Sequence, residues 1–244
     1  MDIQRLVRHL DQELRSLGTP ERAQHEKAYL KSELEHYGVS VPAVRAVAKK
    51  VASKYPALNH EELIELVNAL WATPVHERRM ITVELLDLHG DLLEPSDTAV
   101  LERLLRDSRT WALVDGLAAS VMGQLVDRHQ GMGPVLDRWA RDDDFWIRRA
   151  ALLALLVPLR RGKGDFERFS KYADLMLDEG EFFIRKAIGW VLRDTAKKRP
   201  DLVYRWLLPR AGRASGVTIR EAVKPLSTQQ RAAVLAARCN ATRN

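Results

Sequence analysis

Apolar residues recur at i, i+3, i+4 and i+7 along nearly the whole chain. Ile3, Leu6, Val7 and Leu10 set the pattern, Leu63, Leu66, Val67 and Leu70 repeat it, and Leu101, Leu104 and Leu105 follow. That spacing lines one face of a 3.6-residue helix. Strict apolar–polar alternation, the mark of a half-buried strand, is absent from the sequence. The one Asp-Gly pair, Asp115-Gly116, falls inside a helical run rather than between strands. Prolines stand mostly between the periodic segments, and Pro42 and Pro200 sit near helix starts. The pattern predicts an all-α chain with helical segments at 2–17, 21–37, 41–54, 59–72, 76–90, 95–107, 110–129, 132–140, 143–158, 166–178, 181–197, 200–208, 217–223 and 227–238.

Two such segments with their joints take about 35–40 residues, the period of HEAT-like α-solenoids. The expected architecture is a HEAT-like helical-repeat solenoid, a single domain over residues 1–244. An irregular helical bundle is the alternative. A solenoid carries a continuous concave face, a shape suited to a rod-like polyanion such as duplex DNA.

Composition narrows the setting. The chain has 244 residues, 46% hydrophobic and 30% charged, which excludes a collagen-like or bulk-disordered protein. A single cysteine, Cys239, excludes a disulfide framework and a multi-cysteine zinc site. No uncharged apolar run approaches the ~20 residues of a membrane span. The opening MDIQRLVRHLDQELRSL is amphipathic and mixed in charge, unlike a secretory signal. A cytoplasmic monomer is expected. Charge is unevenly placed: residues 1–122 hold 15 Lys and Arg against 19 Asp and Glu, whereas residues 123–244 hold 24 against 14, a net +10. Guanidinium groups match phosphate oxygens in pairs, so nucleic acid is one candidate partner, and a solvated Arg-rich surface is the other reading.

Three helices carry residues that a pure core would not choose. In Thr110-Trp111-Ala112-Leu113-Val114-Asp115, with Ser108 and Thr110 as candidate caps, Trp111 and Asp115 share a face at i, i+4. A carboxylate in so apolar a run must be paired or must line a wet cleft. The pairing option is a buried ion pair with Arg149. In Asp142-Asp143-Asp144-Phe145-Trp146-Ile147-Arg148-Arg149 the aspartates suit a helix N-terminus, and Arg149 lies three residues after Trp146, at stacking distance along the helix. In Glu181–Arg193 the buried stripe is Ile184, Ala187, Ile188, Val191 and Leu192, while Lys186, Trp190, Arg193 and Lys197 fall on another. An aromatic framed by cations offers stacking and charge together. Both Trp111 and Trp190 also fit as ordinary inter-repeat aromatics. The seven histidines show no metal spacing, and no phosphate loop or nucleophile elbow is present, so neither metal nor cofactor is expected.

These runs, with Tyr29-Leu30-Lys31 and Gly38-Val39-x-x-Pro42-x-x-Arg45, resemble the AlkD-type DNA alkylpurine glycosylases over about residues 5–225. The resemblance implies a HEAT-like fold and hydrolysis of the N-glycosidic bond of positively charged N3- and N7-alkylated purines in duplex DNA. It implies an enzyme that works without a base-flipping pocket, and with no lysine identified for a Schiff base the expected activity is monofunctional. By matching position it makes Asp115 the catalytic carboxylate and Trp111 and Trp190 the cleft aromatics. Arg149 matches the family's cleft arginine, with Arg148 one position away. Lys186 and Arg193 join the DNA-binding set, and Tyr29 matches a DNA-facing tyrosine. The alternative is a catalytically inactive DNA-structure-binding relative, in which Asp115 is a structural ion pair. A helical scaffold for an acidic peptide is a third reading.

Overall fold

The computed structural model describes residues 2–241. The helices are α1 (Ile3–Leu17), α2 (Pro20–Leu30), α3 (Val41–Lys54), α4 (His60–Trp71), α5 (His76–Leu88), α6 (Thr98–Ser108), α7 (Trp111–Asp115), α8 (Gly123–Arg128), α9 (Gly133–Trp139), α10 (Phe145–Leu153), α11 (Leu156–Arg160), α12 (Phe166–Leu175), α13 (Phe182–Ala196), α14 (Pro200–Leu207), α15 (Gly216–Ala222) and α16 (Thr228–Ala241). Among the described residues the only extended pairing is an isolated bridge between Glu35 and Val75. The all-α, helical-repeat reading of the sequence holds. The chain divides into two compact units, one ending at Leu117 and one beginning at Ala118.

In the first unit the apolar faces anticipated from periodicity are buried. Ile3, Leu6, Val7, Leu10 and Leu14 of α1 meet Val44, Val47, Ala48 and Val51 of α3 and Leu66 and Leu70 of α4. Burying a side chain of this size contributes about 1.5–3 kcal/mol before conformational entropy is set against it. Polar side chains close the joints. Glu77 on α5 is fully buried. Its Oε1 accepts the backbone N–H groups of Gly38 at 2.7 Å and Val39 at 3.1 Å, and its Oε2 accepts that of Tyr37 at 2.9 Å. Arg78 beside it donates from Nε to the Leu70 carbonyl at 3.2 Å and from Nη2 to the Ala69 carbonyl at 3.0 Å. It thereby caps the end of α4 with a cation, where the helix dipole favours one.

The second unit packs α13 against α15, α10, α11 and α14. At Gly189, α13 and α15 meet so closely that an added Cβ would lie 2.9 Å from Glu221 Cβ and 3.1 Å from Thr218 Cα. Links between side chains about one repeat apart recur here. Arg210 grips Asp174, 36 residues away, through Nε at 2.5 Å and Nη2 at 2.7 Å. Arg213 grips Asp178, 35 residues away, and Arg168 grips Asp137, 31 residues away. These separations fall near the repeat length inferred from the segments.

Helix boundaries depart from expectation where the backbone does something special. The 21–37 segment stops at Leu30 because Lys31 turns left-handed (φ 50°) and donates its N–H to the Ala28 and Lys27 carbonyls. Gly38 (φ 80°) then turns the chain where a Cβ would lie 2.2 Å from the Thr19 carbonyl oxygen. The 143–158 segment breaks into α10 and α11. Pro158 has no N–H for the Ala154 carbonyl, and its ring would clash with that carbonyl in a continuous helix.

Two stability predictions follow from these joints. Glu77→Ala strands three buried N–H groups, each costing about 1–3 kcal/mol, and is expected to lower the urea unfolding free energy by at least ~3 kcal/mol. A smaller loss would mean that water replaces the carboxylate. Gly189→Ala is expected to cost ~1–3 kcal/mol in the same measurement, because the groups its methyl meets belong to helix backbone and Cβ atoms that cannot rotate away.

Candidate functional site

The segment from Ser108 to Asp115 is built by a sharp joint. α6 ends at Ser108, whose hydroxyl donates to the Leu104 carbonyl at 2.7 Å. Arg109 then adopts a left-handed conformation (φ 46°), an uncommon one for a residue with a Cβ, and Thr110 is extended. Neither candidate cap acts as one: the Thr110 side chain makes no capping hydrogen bond, and its Oγ1 is buried without a partner among the described residues. The turn starts α7 at Trp111. Five residues later α7 gives way to a π-helical segment, Gly116–Met122. Such wider turns recur at functional sites. Gly116 permits the close approach of α5, since a Cβ there would lie 2.6 Å from Val83 Cγ1.

Trp111 and Asp115 are both half-buried on the one face that their spacing anticipates. Tyr29, on α2, stands edge-on to the Trp111 indole, with ring centroids 6.0 Å apart and planes at 88°. Tyr29 is 67% exposed, the most open large apolar side chain in the described chain. The first unit thus brings together Tyr29 and Trp111, which are 82 positions apart in sequence, and places Asp115 one helical turn from the indole.

In the second unit Asp144 caps α10 as expected, its carboxylate accepting the Trp146 N–H at 2.9 Å. Arg148 is committed to intramolecular acceptors. It bonds both oxygens of Glu179, at 3.1 and 2.9 Å, and the Asp142 and Asp143 carbonyls at 2.7 and 2.9 Å. Arg149 is buried, with Nη1 donating to the Phe183 carbonyl. Its guanidinium lies 5.9 Å from the Phe183 ring centre. Phe145, Trp146 and Phe183 form one aromatic cluster, and Phe182 adds an exposed edge.

On α13 the anticipated buried stripe of Ile184, Ala187, Ile188, Val191 and Leu192 is fully buried. Lys186 is exposed, with its ammonium 5.7 Å from the Phe182 ring centre. Trp190 is half-buried and donates its indole N–H to Asp194 Oδ2 at 3.2 Å. Asp194 is only 2% exposed. It also receives Arg160 (Nη2, 2.7 Å), Lys197 (Nζ, 2.8 Å) and Arg193 (Nε, 3.4 Å). Burial pushes the Asp194 carboxyl up, but hydrogen bonds from Lys197 and Arg160 outweigh it and hold the group below the usual carboxylate range. Arg193 reaches Glu221 as well. Sequence reasoning missed Asp194 and Arg160. The signal was present for the first, since Trp190-x-x-x-Asp194 repeats the spacing of Trp111-x-x-x-Asp115.

Among the described residues, one group of potential metal ligands, Glu26, His36 and Glu77, brings its ligand atoms within 4.8 Å of one another. The Glu77 oxygens are already engaged by three backbone N–H groups and Glu26 by Arg22. The group fits a polar joint of the first unit. No helix of the described residues is long and apolar enough to cross a membrane.

Several solved structures share this architecture. A protein described as a predicted DNA alkylation repair enzyme from Enterococcus faecalis superposes with a TM-score of 0.78 at 24% identity, over 86% of this chain and 97% of that one. AlkD2 from Streptococcus mutans gives 0.66 at 16% identity, over 93% and 100%. The protein smu.31 from Streptococcus mutans UA159 gives 0.58 at 18% identity, over 77% and 99%. At these identities the likeness establishes the fold. No curated protein matches the chain. The family model described as DNA alkylation repair enzyme matches residues 10–226. With nearly its whole length matched, and the helical-repeat fold of the solved structures around it, this chain belongs to the DNA alkylation repair enzyme family.

Proposed function

We propose that the protein is a monofunctional DNA glycosylase that releases positively charged N3- and N7-alkylated purines from duplex DNA, acting as a cytoplasmic monomer. The observation that carries this reading is the Trp111–Asp115 pair, a half-exposed carboxylate one helical turn from a half-exposed indole whose edge is faced by the open Tyr29 ring. Family membership supports the DNA-repair role.

Alkylation at N3 or N7 gives the purine a formal positive charge. The C1′–N bond then breaks with its electron pair passing to the base, which departs neutral and needs no acid to protonate it. The deoxyribose left behind is oxocarbenium-like. Asp115 supplies the negative charge that stabilises this cation and orients the incoming water. The water oxygen bonds to C1′ and loses a proton, leaving an abasic sugar. Trp111 and Tyr29 offer aromatic faces to the electron-poor sugar and backbone. In the second unit Trp190 offers an aromatic face to DNA and the exposed Lys186 contacts phosphates, whereas Arg193, already paired with Asp194 and Glu221, has little charge to give. Arg149, buried and bonded to the Phe183 carbonyl, would act from within the fold. A scheme in which the lesion's own lability drives release needs no pocket shaped to one base, and tolerates adducts of different size.

Release of 7-methylguanine and 3-methyladenine from methylated duplex DNA, followed by chromatography, tests the reading. Asp115→Asn is expected to reduce release by at least ~100-fold while duplex affinity stays within about threefold. Wild-type release no faster than spontaneous depurination, with duplex binding intact, would establish the DNA-structure-binding alternative instead. Lys186→Ala is expected to weaken duplex binding about threefold to tenfold regardless of sequence, with an unchanged unfolding midpoint. Sequence-dependent weakening would assign Lys186 to base contacts.

A further inference from the structure

The two Trp-x-x-x-Asp pairs of this chain have opposite environments. Asp115 is half-buried, whereas Asp194 is 2% exposed and ringed by cations from two helices, Arg160 at the end of α11 and Arg193 and Lys197 on and just beyond α13. An aspartate so enclosed cannot serve a reacting sugar directly. What it touches is the indole of Trp190, through Nε1 at 3.2 Å.

Both carboxylate oxygens are pinned. Oδ2 is held by Arg160, through Nε at 2.8 Å and Nη2 at 2.7 Å, and Oδ1 by Lys197 at 2.8 Å. A carboxylate fixed at both oxygens cannot turn about its own bond. The indole N–H that it accepts is therefore fixed as well, and with it the plane of the ring. Gly189, the residue before Trp190, lets α13 and α15 approach closely, since a Cβ there would lie 2.9 Å from Glu221 Cβ and 3.1 Å from Thr218 Cα. An indole has one hydrogen-bonding group and it is a donor. With that group turned inward, the half of the ring left open is hydrocarbon and π surface alone.

We propose that Asp194 is a positioning residue that locks the Trp190 indole, so that Trp190 meets DNA through its π face and never through its N–H. This rests on the proposed DNA-facing role of Trp190. It deepens that role by stating what kind of contact is available: stacking or sugar contact, which tolerates any base or adduct, and no hydrogen-bonded readout.

The test uses the full-length protein with 15N-labelled tryptophan. In wild type the Trp190 Nε1–H resonance, assigned by its loss in Trp190→Phe, is expected to be protected from solvent exchange and to stay so when duplex DNA is added. Asp194→Ala is expected to speed that exchange about tenfold or more, and Asp194→Asn, which keeps an acceptor oxygen, to speed it less. In base release, Asp194→Ala is expected to cost about tenfold in the Trp190 protein and less than about twofold in the Trp190→Phe protein, because a residue acting through the indole has nothing left to position. Unchanged Nε1–H exchange in Asp194→Ala, or losses that multiply across the two backgrounds, would overturn the proposal. Should the alanine variant fail to fold, the exchange rate in Asp194→Asn decides, and a value equal to wild type despite a lowered unfolding midpoint counts against it. A wild type that releases no base sinks the glycosylase reading alone, since the exchange measurements still report whether Asp194 holds Trp190.

Discussion

A helix satisfies its own backbone hydrogen bonds, so a chain made of helices has no ladder with which to join one to the next. Apart from backbone bonds such as those of the Glu35–Val75 bridge, side chains must make the joint, and apolar packing by itself leaves helices free to slide and roll. This constraint explains why so many charged groups here bond to one another or to backbone across helices. Glu77 gathers three N–H groups of the loop before α3, Arg78 takes the last carbonyls of α4, and Arg210, Arg213 and Arg168 each reach across roughly one repeat to an aspartate. The apolar faces supply the bulk of the driving force. The polar joints fix register, and at the buried Glu77 and Arg78 a lost partner leaves a buried charge or donor stranded.

The same device builds the candidate site. Trp111 is aimed by a left-handed Arg109 and an extended Thr110, and Gly116 lets α5 come close enough to hold α7. Trp190 is aimed by Gly189 beneath it and Asp194 beside it. In both units a tryptophan stands half-open close to a glycine that lets a neighbouring helix approach closely. That arrangement is what a rigid contact surface requires, because an aromatic that can swing loses orientation as fast as it gains contact.

Much of this was legible in the sequence. Periodicity identified the helices and their buried faces, down to the stripe of Ile184, Ala187, Ile188, Val191 and Leu192, and the i, i+4 spacing put Trp111 and Asp115 on one face. What the sequence withheld depends on backbone conformation or on partners far along the chain. Ser32–His36 reads as helix, and only the left-handed Lys31 shows that α2 has ended. Ala154–Leu155 reads as continuous helix until Pro158 removes a donor. The pairing of Tyr29 with Trp111 joins residues from helices far apart in the chain, and no local pattern encodes it. Arg148 and Arg149 are adjacent and chemically identical, so composition cannot say that one clamps Glu179 while the other lies against Phe183. The two Trp-x-x-x-Asp pairs look alike in one dimension, and burial alone separates them.

The pairing of arginines with carboxylates has a consequence for how the chain would meet a polyelectrolyte. Duplex DNA gains affinity by shedding condensed counterions, one for each phosphate that a protein cation neutralises. A guanidinium already matched to a carboxylate brings its own counter-charge and frees few of them. Arg148, Arg160, Arg168, Arg210 and Arg213 are all matched in this way. The ionic-strength dependence of association is therefore set by the cations left uncommitted within the fold. It should be shallower than the 24 Lys and Arg residues of the second half suggest.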